Sequence, residues 1–343
     1  MHMSDALMTP MVGGAMWGAT AVATAYCAKK VREDLDESKI PLMGVAGAFV
    51  FAAQMLNFSI PGTGSSGHIG GGLLLAALLG PYAAFLVIAS VLGVQALFFA
   101  DGGLLALGAN VFNLGFFPAF IAFPLAYRRI VGNDPTRSRI VTGSIAAATI
   151  GLLLGAVGVI LQTTTSGIAE LPFAAFAALM LPIHLAIGVV EGLVTAGVLL
   201  FVYQAQPEIL ARSTGGRELS GPKMKPVVIG LLVAALVSGG AVAWFASADP
   251  DGLEWAIGGV AGTDEIEGPT AGTHERAGAL QKRLSFLPAY GFREGDTRAA
   301  AGGGGGSGPP VELGTTVAGI VGALITLGAV ALVGVVLRRR SAS

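Results

Sequence analysis

Apolar runs separated by short polar connections follow one another along the whole chain. Nine of them, at about 9–28, 41–58, 67–79, 81–99, 104–127, 139–162, 173–203, 225–246 and 313–337, read as membrane helices, since a helix needs roughly 17–25 mostly apolar residues to cross a bilayer. The third is short. Proline cannot continue a helix unkinked, so Gly80-Pro81 cuts a longer apolar run into a tilted or half-spanning piece and a full span. The pattern predicts an all-α polytopic membrane protein with a seven-helix body and two C-terminal transmembrane helices. The domains are then a body at 1–203, a cytoplasmic linker at 204–224, and a two-helix module at 225–343 with a long loop at 247–312 and a flexible Gly-rich stretch at 301–308.

Charge sets the orientation. Only 12% of residues are charged and mean hydropathy is +0.73, against about 25% charged in a soluble domain. The net charge of −1, with no basic domain or RNP-like motif, leaves no nucleic-acid partner. With the N-terminus outside, 15 of the 20 Lys and Arg fall on inner segments, around Lys29–Lys39, Arg128–Arg139, Arg212–Lys225 and Arg338–Arg340. The short outer connections 59–66, 100–103 and 163–172 contain none. The other five lie in 247–312, where the rule is weak because long loops translocate regardless of charge. This predicts an N-out, C-in arrangement in the cell (inner) membrane, with Met1, His2 and the 59–68 loop on one outer face.

The N-terminus carries the candidate chemistry. The α-amine of Met1, the amide nitrogen of His2 and Nδ1 of its ring can close a five- and a six-membered chelate around one ion. The amide must lose its proton, which Cu(II) and Ni(II) readily drive, and planar nitrogen ligation suits those metals. His68, in GTGSSGHIGGG, is the candidate for the fourth corner; a frayed, idle His2 is the plain alternative. No basic n-region precedes the first apolar run, so cleavage of this terminus is not expected. Around His68, Ser66, Asp101 and Asn110 are candidates to hold the free nitrogen of a liganding imidazole, a role metal-bound histidines need filled; Asn110 and Asn113 also read as interhelical bridges. His184 and Glu191 are seven apart on one helix face. Ionisable groups in a span mark function by default, as interhelical hydrogen bonding, an ion path or, less simply, direct ligation. On the first helix Ala15, Ala19, Ala23 and Cys27, beside Gly14 and Gly18, form a small-residue stripe for intramolecular packing or for another membrane subunit. The single cysteine excludes an internal disulfide and any cysteine-based zinc site. No GxxxxGK[ST], HExxH, CxxC or GxSxG occurs, which leaves no phosphate cradle and weakens hydrolase readings.

With these residues in view, MHMSDAL, PGTGSSGHIGGGLLLAALLGPYAA, VQALFFADGGLLALGANVFNLG and HLAIGVVEGLVTA resemble the CbiM/NikM family, the substrate-capture (S) component of cobalt/nickel energy-coupling-factor transporters. The stretch 225–337, with PDGLEW, resembles its small CbiN/NikN partner fused in one chain. The resemblance implies a transported Ni(II) or Co(II) ion, no resident cofactor, no catalytic residue, and metal ligands on Met1, His2 and His68. Met3 stands where the family often has Ile. The resemblance also implies a membrane coupling (T) subunit and ATPase (A) subunits, so the chain is a transporter component and not an enzyme. Segment 249–267 is expected to contact the 59–68 loop or the N-terminal tail and favour loading, its acids (Asp249, Asp251, Glu254, Asp264, Glu265, Glu267) concentrating cations; a passive spacer is the other reading. His274 is expected to be dispensable. The rivals are an intramembrane metalloenzyme, with Glu191 its sole mid-span acid, and a metal-sensing receptor, for which the inner loops are too short.

Overall fold

The structure, a computed structural model, describes residues 2–33, 39–214, 224–264, 266–293 and 313–339. Met1, Glu265, Arg217, Lys223 and the Gly-rich stretch 301–308 lie outside the described residues. The fold is almost wholly helical. The body comprises α1 (Pro10–Glu33), α2 (Lys39–Gln54), a hairpin of β1 (Phe58–Ile60) and β2 (Ser65–Gly67), α3 (Gly72–Leu79), α4 (Pro81–Phe99), α5 (Leu107–Val131), α6 (Arg137–Ser166) and α7 (Phe173–Ala205). After α8 (Pro207–Thr214) come α9 (Met224–Gly240), α10 (Gly252–Ala261), α11 (Thr273–Leu284) and α12 (Leu313–Arg339). Among the described residues α4, α5, α6, α7 and α12 are long and apolar enough to cross a membrane, and α2 and α9 are shorter apolar helices.

The predicted third span does not form as one helix. Residues 65–67 pair with 58–60 in an antiparallel hairpin, and helix begins only at Gly72. Eight residues of α3 rise about 12 Å, well short of the roughly 30 Å hydrocarbon core. The cause is local: Gly71 has φ +76° and Gly80 has φ +84°, and both bound the helix. Pro81 then opens α4 at its first turn, where its missing N–H costs nothing. Irregular backbone survives at such a place only when protein groups satisfy it. Here Gln54 Nε2 donates to the Gly70 carbonyl, and Glu191 accepts from the Gly70 and Gly71 amides.

The last turn of α4, Gln95–Phe99, widens into a π-turn, and Ala100 follows at φ +55°. π-turns commonly mark functional positions, and this one delivers Asp101 and Gly102. Most of α5, Phe112–Tyr127, is also π-wound and accommodates Pro118 and Pro124. On α1 the small-residue stripe divides: Ala15 and Ala19 are exposed with open space beside Gly14 and Gly18, whereas Cys27 is buried.

The helices of the C-terminal module are packed on the body. α12 lies against α2 and α4, α9 against α2, and the two cross where Gly239 meets Gly319. Phe51 of α2 fills the space beside Gly322. The long loop is folded where it is described. α10 packs on α7 and β2, α11 on the end of α4.

Candidate metal site

The N-terminal tail is clamped by backbone recognition. Asn110 Oδ1 accepts from the Met3 amide at 2.8 Å, its Nδ2 donates to the Met3 carbonyl at 3.1 Å, and the Gly103 amide donates to that carbonyl at 2.9 Å. Asn110 therefore holds the tail and not an imidazole. Asp5 Oδ1 accepts from the Ala106 amide at 3.0 Å, and a side chain at Gly103 would collide with Asp5. Burial raises the Asp5 carboxyl above its ordinary range, with backbone amides opposing that rise. Met3, Leu7 and Met8 are fully buried, so His2 is anchored from its C-terminal side.

His2 and His68 meet face to face, with ring centroids 4.9 Å apart and planes 19° from parallel. His2 Nδ1 lies 2.8 Å from Asp101 Oδ1, while its Nε2 is buried with no hydrogen-bond partner. His68 Nδ1 is 3.1 Å from the Ile69 carbonyl, which directs Nε2 toward Asp251 Oδ2 at 3.9 Å. The His68 side chain is 8% exposed, and burial pushes its imidazole down to about 3, which keeps it neutral and its lone pair available. Asp101 also accepts from the Tyr290 hydroxyl at 2.6 Å. Burial alone would raise the Asp101 carboxyl; its contact with His2 overrides this and holds it below the usual carboxylate range. Asp251 Oδ1 caps α10, accepting from Leu253 and Glu254 at 2.7 and 2.9 Å, and Glu254 returns the contact to the Asp251 amide. These groups line a cavity of about 810 Å³ between the tail, the 100–103 turn and the module's outer segment.

Among the described residues no three His, Cys, Asp or Glu side chains converge to hold a metal. Of the donor set expected from the sequence, His2 and His68 lie side by side, and Met1 lies outside the described residues. Nδ1 of His2, the chelating atom, faces Asp101. Chelation through it requires the ring to leave this contact.

The other candidates have different partners. Ser66 donates to the Asp249 carbonyl, and its amide donates to the Pro250 carbonyl, so it joins β2 to the module. His184 Nδ1 bonds the Met180 carbonyl of its own helix, and its ring abuts Gly252. Glu191 binds the glycine loop carrying His68. Neither residue faces the His2–His68 pair as a ligand. Asn113 pairs with Gln162 across α5 and α6. Segment 249–267 does contact the 59–68 loop: Trp255 Nε1 donates to the Thr63 carbonyl, and Ser59 bonds Ser247 and Asp249. His274, expected to be idle, bonds the Met8 carbonyl at 2.9 Å. Sequence reasoning missed Tyr290 and Gln281, which donates to the Ala96 and Gly102 carbonyls. Only PDGLEW offered a signal, and it pointed at Asp251 and Trp255.

Residues 2–209 match the family described as the cobalt uptake substrate-specific transmembrane region, and residues 225–339 match the PDGLE domain. A putative metal transport protein of Haloquadratum walsbyi is 34% identical over 61% of this chain and 93% of its own length. A putative fused nickel transport protein NikMN of Archaeoglobus fulgidus is 34% identical over 64% of this chain and 71% of its own. A cobalt transport protein CbiM of Sorangium cellulosum is 34% identical over 62% and 95%. The crystal structure of a transition metal transporter, 28% identical, superposes with a TM-score of 0.53, covering 60% of this chain and 93% of that one.

Proposed function

The chain belongs to the cobalt-uptake substrate-specific transmembrane family, with a PDGLE domain in the same polypeptide, and from that premise we propose that it captures Ni(II) or Co(II) for an energy-coupling-factor importer. It is a multi-pass membrane component of a metal transporter. The ion is held by the Met1 amine, the His2 amide and imidazole, and His68. Its energy comes from separate ATPase subunits through a membrane coupling subunit. The body is 1–203 and the loading module 225–343, joined by a cytoplasmic linker, with the N-terminus outside and the C-terminus inside. The observation that carries this reading is the stacked His2–His68 pair with a buried, unpartnered His2 nitrogen, set one residue from the chain terminus.

Capture proceeds as follows. The clamp on Met3 holds the backbone while the His2 ring turns to present Nδ1. The amine and amide release their protons as the ion binds, so loading weakens in acid. His68, with Nδ1 at the Ile69 carbonyl, supplies Nε2. Asp251 Oδ2 stands 3.9 Å from that nitrogen and must yield or join as the ion enters. The metalloenzyme reading gains no support from Glu191, whose two oxygens accept backbone amides of the loop that carries His68.

Metal analysis of protein purified with an untagged N-terminus tests the cage and separates nickel from cobalt. In vesicles the pure chain should bind metal without ATP-stimulated accumulation; adding the coupling and ATPase subunits should start it. ATP-driven accumulation by the chain alone refutes the proposal.

A further inference from the structure

Tyr290 belongs to the module's outer segment, yet it reaches the turn between α4 and α5. Its hydroxyl donates to Asp101 Oδ2 at 2.6 Å, and the other Asp101 oxygen lies 2.8 Å from His2 Nδ1. Module, turn and tail are thereby joined through three side chains. The placement of Tyr290 is built in several ways. Ala289 and Tyr290 both have left-handed backbones, φ +49° and +59°. Side-chain-bearing residues rarely adopt that region, and such strain collects where the surrounding structure enforces a function. The Tyr290 ring stacks on Phe99 at 5.2 Å and meets Phe51 edge-on at 6.2 Å. The Leu287 amide donates to the Phe98 carbonyl, and Gln281 donates to the carbonyl of Gly102, next to Asp101. Burial raises the phenol well above its usual value, so it remains a donor.

We propose that Tyr290 is a positioning residue for metal capture, acting on His2 through Asp101. This rests on the reading of His2 as a ligand. A carboxylate held on one side only is free to swing. With Oδ2 fixed by Tyr290, the plane of Asp101 is set and Oδ1 is reserved for the imidazole. The ring must leave this contact and reorient for Nδ1 to reach an ion, and the fixed Oδ1 is then the acceptor assigned to Nε2. An acceptor on the non-liganding nitrogen fixes the tautomer and makes the other nitrogen a better donor to metal. The fused module thus shapes the ligand itself and does more than tether a helix.

The test uses full-length chain with its native N-terminus in detergent, titrated with Ni(II) alone by calorimetry, with the Ni(II) absorption bands recorded. Tyr290→Phe keeps the ring and removes only the hydroxyl. It should weaken affinity about tenfold while leaving the absorption bands in place, because the donor set is unchanged. Asp101→Asn should weaken affinity about ten- to hundredfold. The double variant should be no weaker than Asp101→Asn, because Tyr290 works only through Asp101. Wild-type affinity in Tyr290→Phe, or additive losses in the double variant, overturns the proposal. Phe99→Leu loosens the ring but spares the hydroxyl; a loss equal to that of Tyr290→Phe replaces positioning by packing and also overturns it. His2→Ala separates the two levels. If His2→Ala binds as wild type, the ligand reading itself fails; if it abolishes binding while Tyr290→Phe is silent, only this inference fails.

Discussion

Glu191 and Gly70 are joined by a hydrogen bond of 2.9 Å from the Gly70 amide to Oε2, across 121 positions of sequence. The second carboxylate oxygen takes the Gly71 amide at 3.0 Å. One residue of α7 therefore satisfies two consecutive amides of the loop that carries His68, where the backbone cannot satisfy itself. Glu191→Gln leaves one oxygen for two donors and turns an NH₂ toward one of them. A buried amide left unpaired costs about 1–3 kcal/mol. The metal-free melting temperature should fall, and Ni(II) affinity should fall with it as the His68 loop loses its support. Unchanged melting would show that Gln54 and packing suffice to hold the loop.

A residue added before Met1 should abolish high-affinity loading while leaving the fold intact. The tail is clamped from Met3 onward, so an extension does not unseat it and only the amine donor is lost. Comparing metal content of N-terminally and C-terminally tagged protein checks this. Equal loading means the amine is not a ligand.

His68→Ala removes one of four nitrogens and leaves a tridentate chelator. Binding should weaken without vanishing, and uptake by the complete transporter should be almost lost. His274→Ala should act more gently, by loosening the Met8 carbonyl that it bonds at 2.9 Å. The expected loss is that of one ordinary hydrogen bond, about 0.5–1.5 kcal/mol, read as an affinity weaker by about twofold to twelvefold. Equal losses at the two positions would remove His68 from the ligand set.

Truncation after residue 210 removes every contact of the module with the body. The lost set includes Trp255 to Thr63, Pro250 to Ser66 and Tyr290 to Asp101. A folded body that binds metal should remain, with transport sharply reduced when the coupling and ATPase subunits are supplied. Transport at the full-length rate would return the module to the status of a spacer.

Composition and periodicity alone determined the class of this protein. Long apolar runs in a chain with so few charges have no stable place but a membrane, and helices alone satisfy their own backbone there. Breaks such as Gly80-Pro81 were legible because proline and glycine act through local backbone geometry. The chelating potential of Met1-His2 was legible too, since it lies in covalent structure. The tertiary structure decided what meets what. The 67–79 run reads as one apolar span, yet 67–71 ends the hairpin and forms a loop and only 72–79 is helical, since distant Glu191 and Gln54 supply the hydrogen bonds that the loop lacks. Asn110 reads as an imidazole partner, yet its side-chain oxygen and nitrogen match the Met3 amide and carbonyl. Tyr290 carries no signature at all: its role arises from a strained turn and two phenylalanines on other helices. Periodicity reports which face of a segment is apolar, and it is silent on which residue, hundreds of positions away, completes a buried hydrogen bond.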